Sequence, residues 1–265
     1  MTASLAFATD LALRAAEGAD VDRAPGVTTV RMGRNPAFRW GNFLLVPEAG
    51  DPAARLAEHA TAFPGAGFTT IGVDDAHAVL DEGAWLSAGF EIERLAVLTT
   101  RAAVTGTGTG TRPLLSDEDW AAEARIALEL EEAPDDAHLA FLLRRTAERQ
   151  EAAERSRLVW LGMEVGGEIV ATAGVADAGG GVARFQDVQT AEAHRRRGHA
   201  SALVAAGVRL AAETFGSALF VLVAERGGPA IGLYRRLGFR EVETQVQLSR
   251  VDAPSAVLGA VGDAA

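Results

Sequence analysis

Three observations predict a mixed-sheet α/β fold for this chain. Between residues 112 and 251, segments with helical apolar spacing interleave with short runs of β type. Glycine, proline and helix-capping residues punctuate them at the joins. The last part of the pattern recurs, in weaker form, within the first 104 residues.

The elements follow in order. "TGTGTGTRP" (105–113) alternates Thr and Gly with nothing to bury, and is predicted to be a flexible connector. It divides the chain into domains 1–104 and 112–251, with 105–111 as linker and 252–265 as a loose tail. "TRPLL" is the first strand of the second domain. "LSDEDWAAEARIALELEE" is a helix with Ser116 as N-cap and acids in its first turn. A second helix covers about 136–153 after Pro134. "RLVWLGMEV" and "EIVATAGV" are strands joined at Gly166-Gly167, and "VARFQDVQT" is a third. "RRGHASALVAAGVRLAAETFG" carries an apolar stripe of Leu203, Val204, Gly207, Val208 and Ala211 and ends at Gly216. "ALFVLVA" is a strand buried on both faces. "PAIGLYRRLGF" is a short helix between Pro229 and Gly238, and "REVETQVQLSR" alternates as the last strand.

An internal repeat accounts for the first domain. "GAWLSAGFEIERLAVLTTR" (83–101) aligns with "GLYRRLGFREVETQVQLSR" (232–250) at an offset of 238 − 89 = 149, with Trp85 opposite Tyr234. Upstream, "TTIGVDD" falls where "LFVLVAE" lies.

Composition excludes several functions. With 265 residues, 48% hydrophobic and 23% charged, the chain is ordinary globular material for two modest domains. It contains no cysteine, so disulfides, thiolate metal sites and cysteine nucleophiles are out, and any acyl transfer must be direct or use another nucleophile. Net charge is −11, split as 8 Arg against 13 acids in 1–104 and 17 against 23 in 105–265. Neither half offers the basic face of a nucleic-acid binder, so no nucleic-acid partner is expected. No run approaches membrane-spanning length, and the N-terminus meets Asp10 and Arg14 too early for a signal peptide, so no membrane partner and a cytoplasmic location are expected.

Against that acidic background, "HRRRGHASAL" (194–203) concentrates three consecutive arginines where a strand feeds a helix. The first turn of a helix carries unpaired N–H groups and the positive end of its dipole, and so suits a diphosphate. Gly198 lets the backbone approach such a ligand, Ala200 adds no bulk, and the arginines add charge. His194 and His199 flank this loop without ligand spacing to other donors. They read as solvated, with no metal.

Together, "RRRGHASALVAAGVRLA", "ALFVLVA" and "GPAIGLYRRLGF" resemble the two acetyl-CoA motifs of the Gcn5-related N-acetyltransferase (GNAT) superfamily, in order and at normal spacing. The resemblance covers 112–250 fully and about 20–101 in degenerate form. It implies a GNAT fold with a second, degenerate GNAT-like N-terminal domain, and acetyl-CoA as co-substrate. Arg195-x-x-Gly198-x-Ala200 matches the pyrophosphate loop, placing Arg195, Arg196, Arg197, Gly198, His199, Ala200 and Ser201 at the diphosphate. Val188, Gln189 and Thr190 fall where the family's strand holds the pantetheine arm. Ala230, Tyr234, Leu237, Gly238 and Phe239 match the second motif, in which the tyrosine is the usual general acid; Tyr234 is the only tyrosine in the chain.

Two departures stand out. Gly227 replaces an asparagine that often contacts the cofactor. Gln186 and Leu222 occupy positions where family members carry a glutamate base, which leaves Asp187, Glu225 or a water chain to deprotonate the amine, Asp187 ranking first. The N-terminal domain, with "VPEAGDPAARLAEHA" in place of the loop motif and Trp85 in place of the tyrosine, is expected to bind no acetyl-CoA and to shape the acceptor pocket. The implied function is N-acetylation of an amine, whether polyamine, aminoglycoside, amino acid or peptide N-terminus. The alternatives are a non-catalytic acyl-CoA sensor and, more distantly, a phosphate or RNA binder. Monomer and homodimer are both open.

Overall fold

The computed structural model describes residues 3–101, 104, 106, 108–131, 136–155 and 157–251. The first half contains α1 (Leu5–Ala16), β1 (Asp20–Ala24), β2 (Val27–Arg31), β3 (Asn42–Val46), α2 (Pro52–Ala62), β4 (Phe68–Val73), α3 (Glu82–Ser87) and β5 (Glu91–Thr100). The second contains β6 (Thr111–Pro113), α4 (Asp117–Glu129), α5 (Asp136–Arg155), β7 (Leu158–Val165), β8 (Glu168–Gly179), β9 (Val182–Thr190), α6 (His199–Phe215), β10 (Leu219–Glu225), α7 (Pro229–Arg236) and β11 (Arg240–Val251). The second half follows the predicted order. Ser116 caps α4 in a reciprocal capping box with Asp119, and Gly216 ends α6 at φ 69°, a conformation that favours glycine.

The repeat is structural as well as sequential. Each half runs three strands, a helix, a strand, a helix and a final strand (β1 to β5 and β7 to β11), with one parallel pair, β3 with β4 and β9 with β10. The central pair β5 and β11 obeys a local twofold: Leu95 faces Gln245, and adding or subtracting the offset of 149 gives Thr244 facing Ala96, which is also observed. Trp85 packs edge-on against Phe90 as Tyr234 packs against Phe239, each pair at the same offset.

All eleven strands form one sheet, in the order β1-β2-β3-β4-β11-β5-β10-β9-β8-β7-β6. The order departs from two separate domain sheets. β5 lies between β10 and β11, and β11 lies between β4 and β5, so each half's last strand is inserted into the other half. Arg250, on β11, accordingly donates to the Ala88 carbonyl at the end of α3. A strand inserted this way has both edges paired, which removes two open edges that could aggregate.

The connector differs from the flexible segment predicted. Val104 is buried in the core beneath α6, and Arg209 on that helix donates to the Gly106 carbonyl at 2.9 Å. The described part of this stretch is docked on α6. Thr105, Thr107 and the tail 252–265 lie outside the described residues.

Because β5 and β11 each complete the other half, unfolding of one half exposes the core of the other. Urea unfolding read by hydrogen exchange at β3 and at β8 should give one common transition. Two separated transitions would contradict the shared sheet.

Candidate active site

The site begins with a parting of two parallel strands. β9 and β10 pair only over Val182 to Arg184 with Leu219 to Val221, after which no pairing continues. A β-bulge on β9 lies just beyond, where the register to β8 shifts between Gln186 and Gln189, and Asp187 there takes φ 46°. Bulges bend a strand and break its pairing, so this one turns β9 away from β10. Past the bulge, Gln189 pairs with Thr172 and the Ala191 amide donates to Val170. Alternation along the strand then turns the Val188 and Thr190 amides toward the gap.

The arginine loop follows directly. Arg195 Nε reaches back to the Thr190 carbonyl at 3.4 Å, Arg196 adopts φ 62°, and Gly198 adopts φ 87° immediately before α6. The first helical bond from this turn is Ala202 N–H to Gly198 O at 3.0 Å, so the amides of His199, Ala200 and Ser201 have no partner in the helix ladder. A Cβ on Gly198 would meet nothing within 4 Å, which marks open space over the turn. Arg195, Arg196 and Arg197 are exposed. His194 and His199 are half-buried rather than solvated, with ring centres 6.2 Å apart, and His194 Nδ1 and His199 Nε2 are buried without hydrogen-bond partners. Burial first, then His194 and Arg197, push His199 below the usual histidine range. An anionic group fits here: it would meet open amides, three cations and an orphaned ring nitrogen.

Tyr234, on α7, is 3% exposed and belongs to the same apolar cluster as Val188, Leu203 and Phe239. Across the sheet from α6 lies a cavity of about 320 Å³ between the halves. The second half lines it with Arg149, Gln186, Asp187 and Glu225, and the first with Arg14, Arg39 and Trp40. Among the described residues no cluster of His, Asp and Glu could hold a metal, and no helix is long and apolar enough to cross a membrane.

Residues 117–239 match the model of the acetyltransferase (GNAT) family. Those residues are a GNAT domain. A search of curated proteins found no match. Solved structures share the fold across nearly the whole chain. A conserved protein of unknown function from Staphylococcus epidermidis aligns at TM-score 0.71 and 11% identity, over 89% of this chain and 95% of its own. A GCN5-related N-acetyltransferase from Kribbella flavida aligns at 0.62 and 19%, over 96% and 99%. A tandem GNAT protein from the clavulanic acid biosynthesis pathway aligns at 0.54 and 14%, over 96% and 98%.

The GNAT domain's cavity wall is held by buried ion pairs that the sequence reading missed. Arg149, on α5, binds Asp187 at the bulge and Glu123 on α4 at 2.5 Å, while its guanidinium lies 4.6 Å over the Trp160 ring. Burial first, then Arg145, lowers the Arg149 pKa to about 10, still well above neutral pH. Gln186 Nε2 also donates to Asp187, at 2.7 Å. Asp187 is thus buried and already engaged. Both of its carboxylate oxygens are taken up within the wall, Oδ2 by Arg149 and Oδ1 by Gln186. Glu225 lines the same cavity, is exposed, and has no ion-pair partner within 4.0 Å among the described residues.

A second buried link joins the halves. Glu17, just past α1, accepts from Arg14 at 2.5 Å and from Arg145 on α5 at 2.8 Å. Burial alone would raise the Glu17 pKa, but the two arginines outweigh it and hold it at about 2. The signal for these residues was present as Arg145 and Arg149, four apart on one helix face. Their partners lie far away in sequence and could not be read from spacing.

Replacing Arg149 with Met leaves Glu123 and Asp187 buried without their cation and should cost about 3–5 kcal/mol, measured by urea denaturation. A loss below about 1 kcal/mol would contradict the network as described. Glu17 has a depressed folded pKa, so its contribution is complete above about pH 4.5 and is lost as pH falls toward 2. Stability measured across that window should fall less steeply in Glu17→Gln than in the wild type; equal slopes would contradict the pairing.

Proposed function

We propose that the protein is an acetyl-CoA-dependent N-acetyltransferase that passes the acetyl group directly to an amine. The observation that carries this reading is the gap between β9 and β10, which opens beside the unpaired first-turn amides of α6. Acetyl-CoA supplies an acetyl group on a thioester, a form activated for transfer to an amine nitrogen with release of the thiol.

The chain's own residues divide the work. The amides of Arg196 to Ser201, with the side chains of Arg195 to Arg197, hold the diphosphate. The backbone of Val188 and Thr190, spaced by Gln189 whose own backbone faces β8, holds the pantetheine arm, and the Val188 amide donates to the acyl oxygen as negative charge gathers there. Tyr234 gives its phenolic proton to the departing sulfur, the general-acid step open to a positioned phenol. Glu225 takes the proton from the incoming ammonium, since Asp187 is committed to Arg149. With no cysteine in the chain to carry the acyl group, direct transfer is the economical course.

We further propose that the N-terminal half binds no acetyl-CoA. Its β3 and β4 stay paired to Val46 and Val73, and the Asp74 amide then donates to Val46 at 2.7 Å, so no gap opens. The Asp74 carboxylate accepts from the Ala3 and Ser4 amides, which seats the start of α1 over that end of the sheet.

A second reading, a non-catalytic acyl-CoA sensor, draws on Gly227 and Gln186, where the family's asparagine and base are missing. One assay separates the two. Tyr234→Phe should lower amine-dependent CoA release by about 10² to 10⁴ while acetyl-CoA affinity stays within a few fold. Tight acetyl-CoA binding by the wild type with no release to any amine supports the sensor, and unchanged turnover in Tyr234→Phe rejects the tyrosine's role.

A further inference from the structure

The cavity between the halves contains one arginine that stands apart from the rest. Four other buried arginines line it, and each has a carboxylate partner: Arg14 with Glu17, Arg145 with Glu17, Arg149 with Glu123 and Asp187, and Arg184 with Asp10. Arg39 lines the same cavity at 9% exposure, and among the described residues its side chain makes no hydrogen bond and no ion pair within 4.0 Å. Burial lowers its pKa below the usual arginine range, and Glu91 and Glu93 oppose that shift only through the field.

Its position is fixed by the fold. Arg39 opens a one-turn helix, Arg39–Gly41, whose geometry leaves no room for a side chain at residue 41, where a Cβ would meet the Phe38 ring at 2.3 Å. The Arg39 carbonyl accepts from Thr70 Oγ1 at 3.2 Å, and Asn42 Nδ2 ties the Phe38 carbonyl at 2.9 Å. Phe38 and Trp40, beside it, give the cavity apolar wall. Most of the Arg39 side chain is buried, but none of its guanidinium nitrogens is sealed off, so the head can meet a group that enters the cavity, and an anion there would gain charge-assisted hydrogen bonds.

Two charged side chains of the lining make no ion pair among the described residues: Arg39, on the N-terminal half, where Glu93 shares the wall, and Glu225, beside the strand gap. The two are set along β5: Glu225 faces Leu95, while Glu93, which acts on Arg39, lies two residues further, about 7 Å along the strand. A cavity of about 320 Å³ that offers an unpaired cation and an unpaired carboxylate suits a small molecule with both an amine and an acidic group.

We infer that the acetyl acceptor is a small amine that carries an acidic group, a carboxylate or a phosphate, received by Arg39. This rests on the acetyl-transfer reading above. It assigns the N-terminal half a specificity role: its Arg39 chooses among amines that the GNAT half presents to the same chemistry.

The test uses the full chain, acetyl-CoA and matched acceptors: lysine against cadaverine, phenylalanine against phenethylamine, and phosphoethanolamine against ethanolamine. In the wild type, the acid-bearing member of at least one pair should have kcat/KM about ten- to a hundredfold above its plain amine, the scale of a charge-assisted hydrogen bond. The pair that shows it distinguishes carboxylate from phosphate. Arg39→Met should bring that ratio to about one, and Arg39→Lys should recover part of it. Plain amines accepted as well as or better than every acid-bearing partner would overturn the inference while leaving acetyl transfer standing. A ratio unchanged in Arg39→Met would overturn it equally. No CoA release with any acceptor would overturn the transfer reading and this inference together. The wild-type ratio decides even if Arg39→Met does not fold.

Discussion

Arg149 is the fixed point around which the site is arranged. Its guanidinium is buried, holds Glu123 on α4 and Asp187 on β9, and lies over Trp160 on β7. Three elements meet at one cation because burying a charge without partners is far more costly than burying it with them. Asp187 sits at the bulge itself, in a left-handed conformation that only surrounding constraints hold in place. The ion pair therefore anchors the bend that parts β9 from β10, and with the bend comes the gap. One turn along α5, Arg145 reaches Glu17 and extends the same chain of charges to the N-terminal half.

The two halves show what that anchor achieves. Both carry a parallel pair followed by a helix, in the same order of elements. In the GNAT half the pair separates after three residues and leads through the arginine loop into α6. In the N-terminal half the pair holds to its end, Asp51 and Pro52 start α2 with an ordinary cap, and Asp74 seals the strand ends against α1. What the N-terminal half contributes instead is wall: Arg14, Arg39 and Trp40 face the GNAT half's cavity. The insertion of β5 and β11 makes that wall permanent, since neither half has a complete sheet alone.

Local structure was legible in the sequence because local rules decide it. Ser116, Pro229, Gly216 and Gly238 mark helix ends through backbone conformation and hydrogen bonds a few residues away. The loop at Arg195 to Ser201 was legible for the same reason, as one contiguous turn. The strand insertion was not. Repeats at an offset of 149 predict two alike halves, but nothing in "REVETQVQLSR" says that its neighbours on both sides come from residues 68–100. The engagement of Asp187 is hidden for a similar reason: its partner Arg149 is 38 residues away, where the sequence predicts only a helix over about 136–153. Arg39 carried no motif at all; its meaning lies in the absence of a partner, which only the packed structure displays.

The most direct test of this account is the number of acetyl-CoA molecules that one chain binds. Titration calorimetry on the full chain should give one site, lost when Gly198→Val places a branched side chain in the left-handed turn before α6. Two sites per chain, or one site indifferent to Gly198→Val, would contradict the assignment of the donor site to the parted strands of the GNAT half.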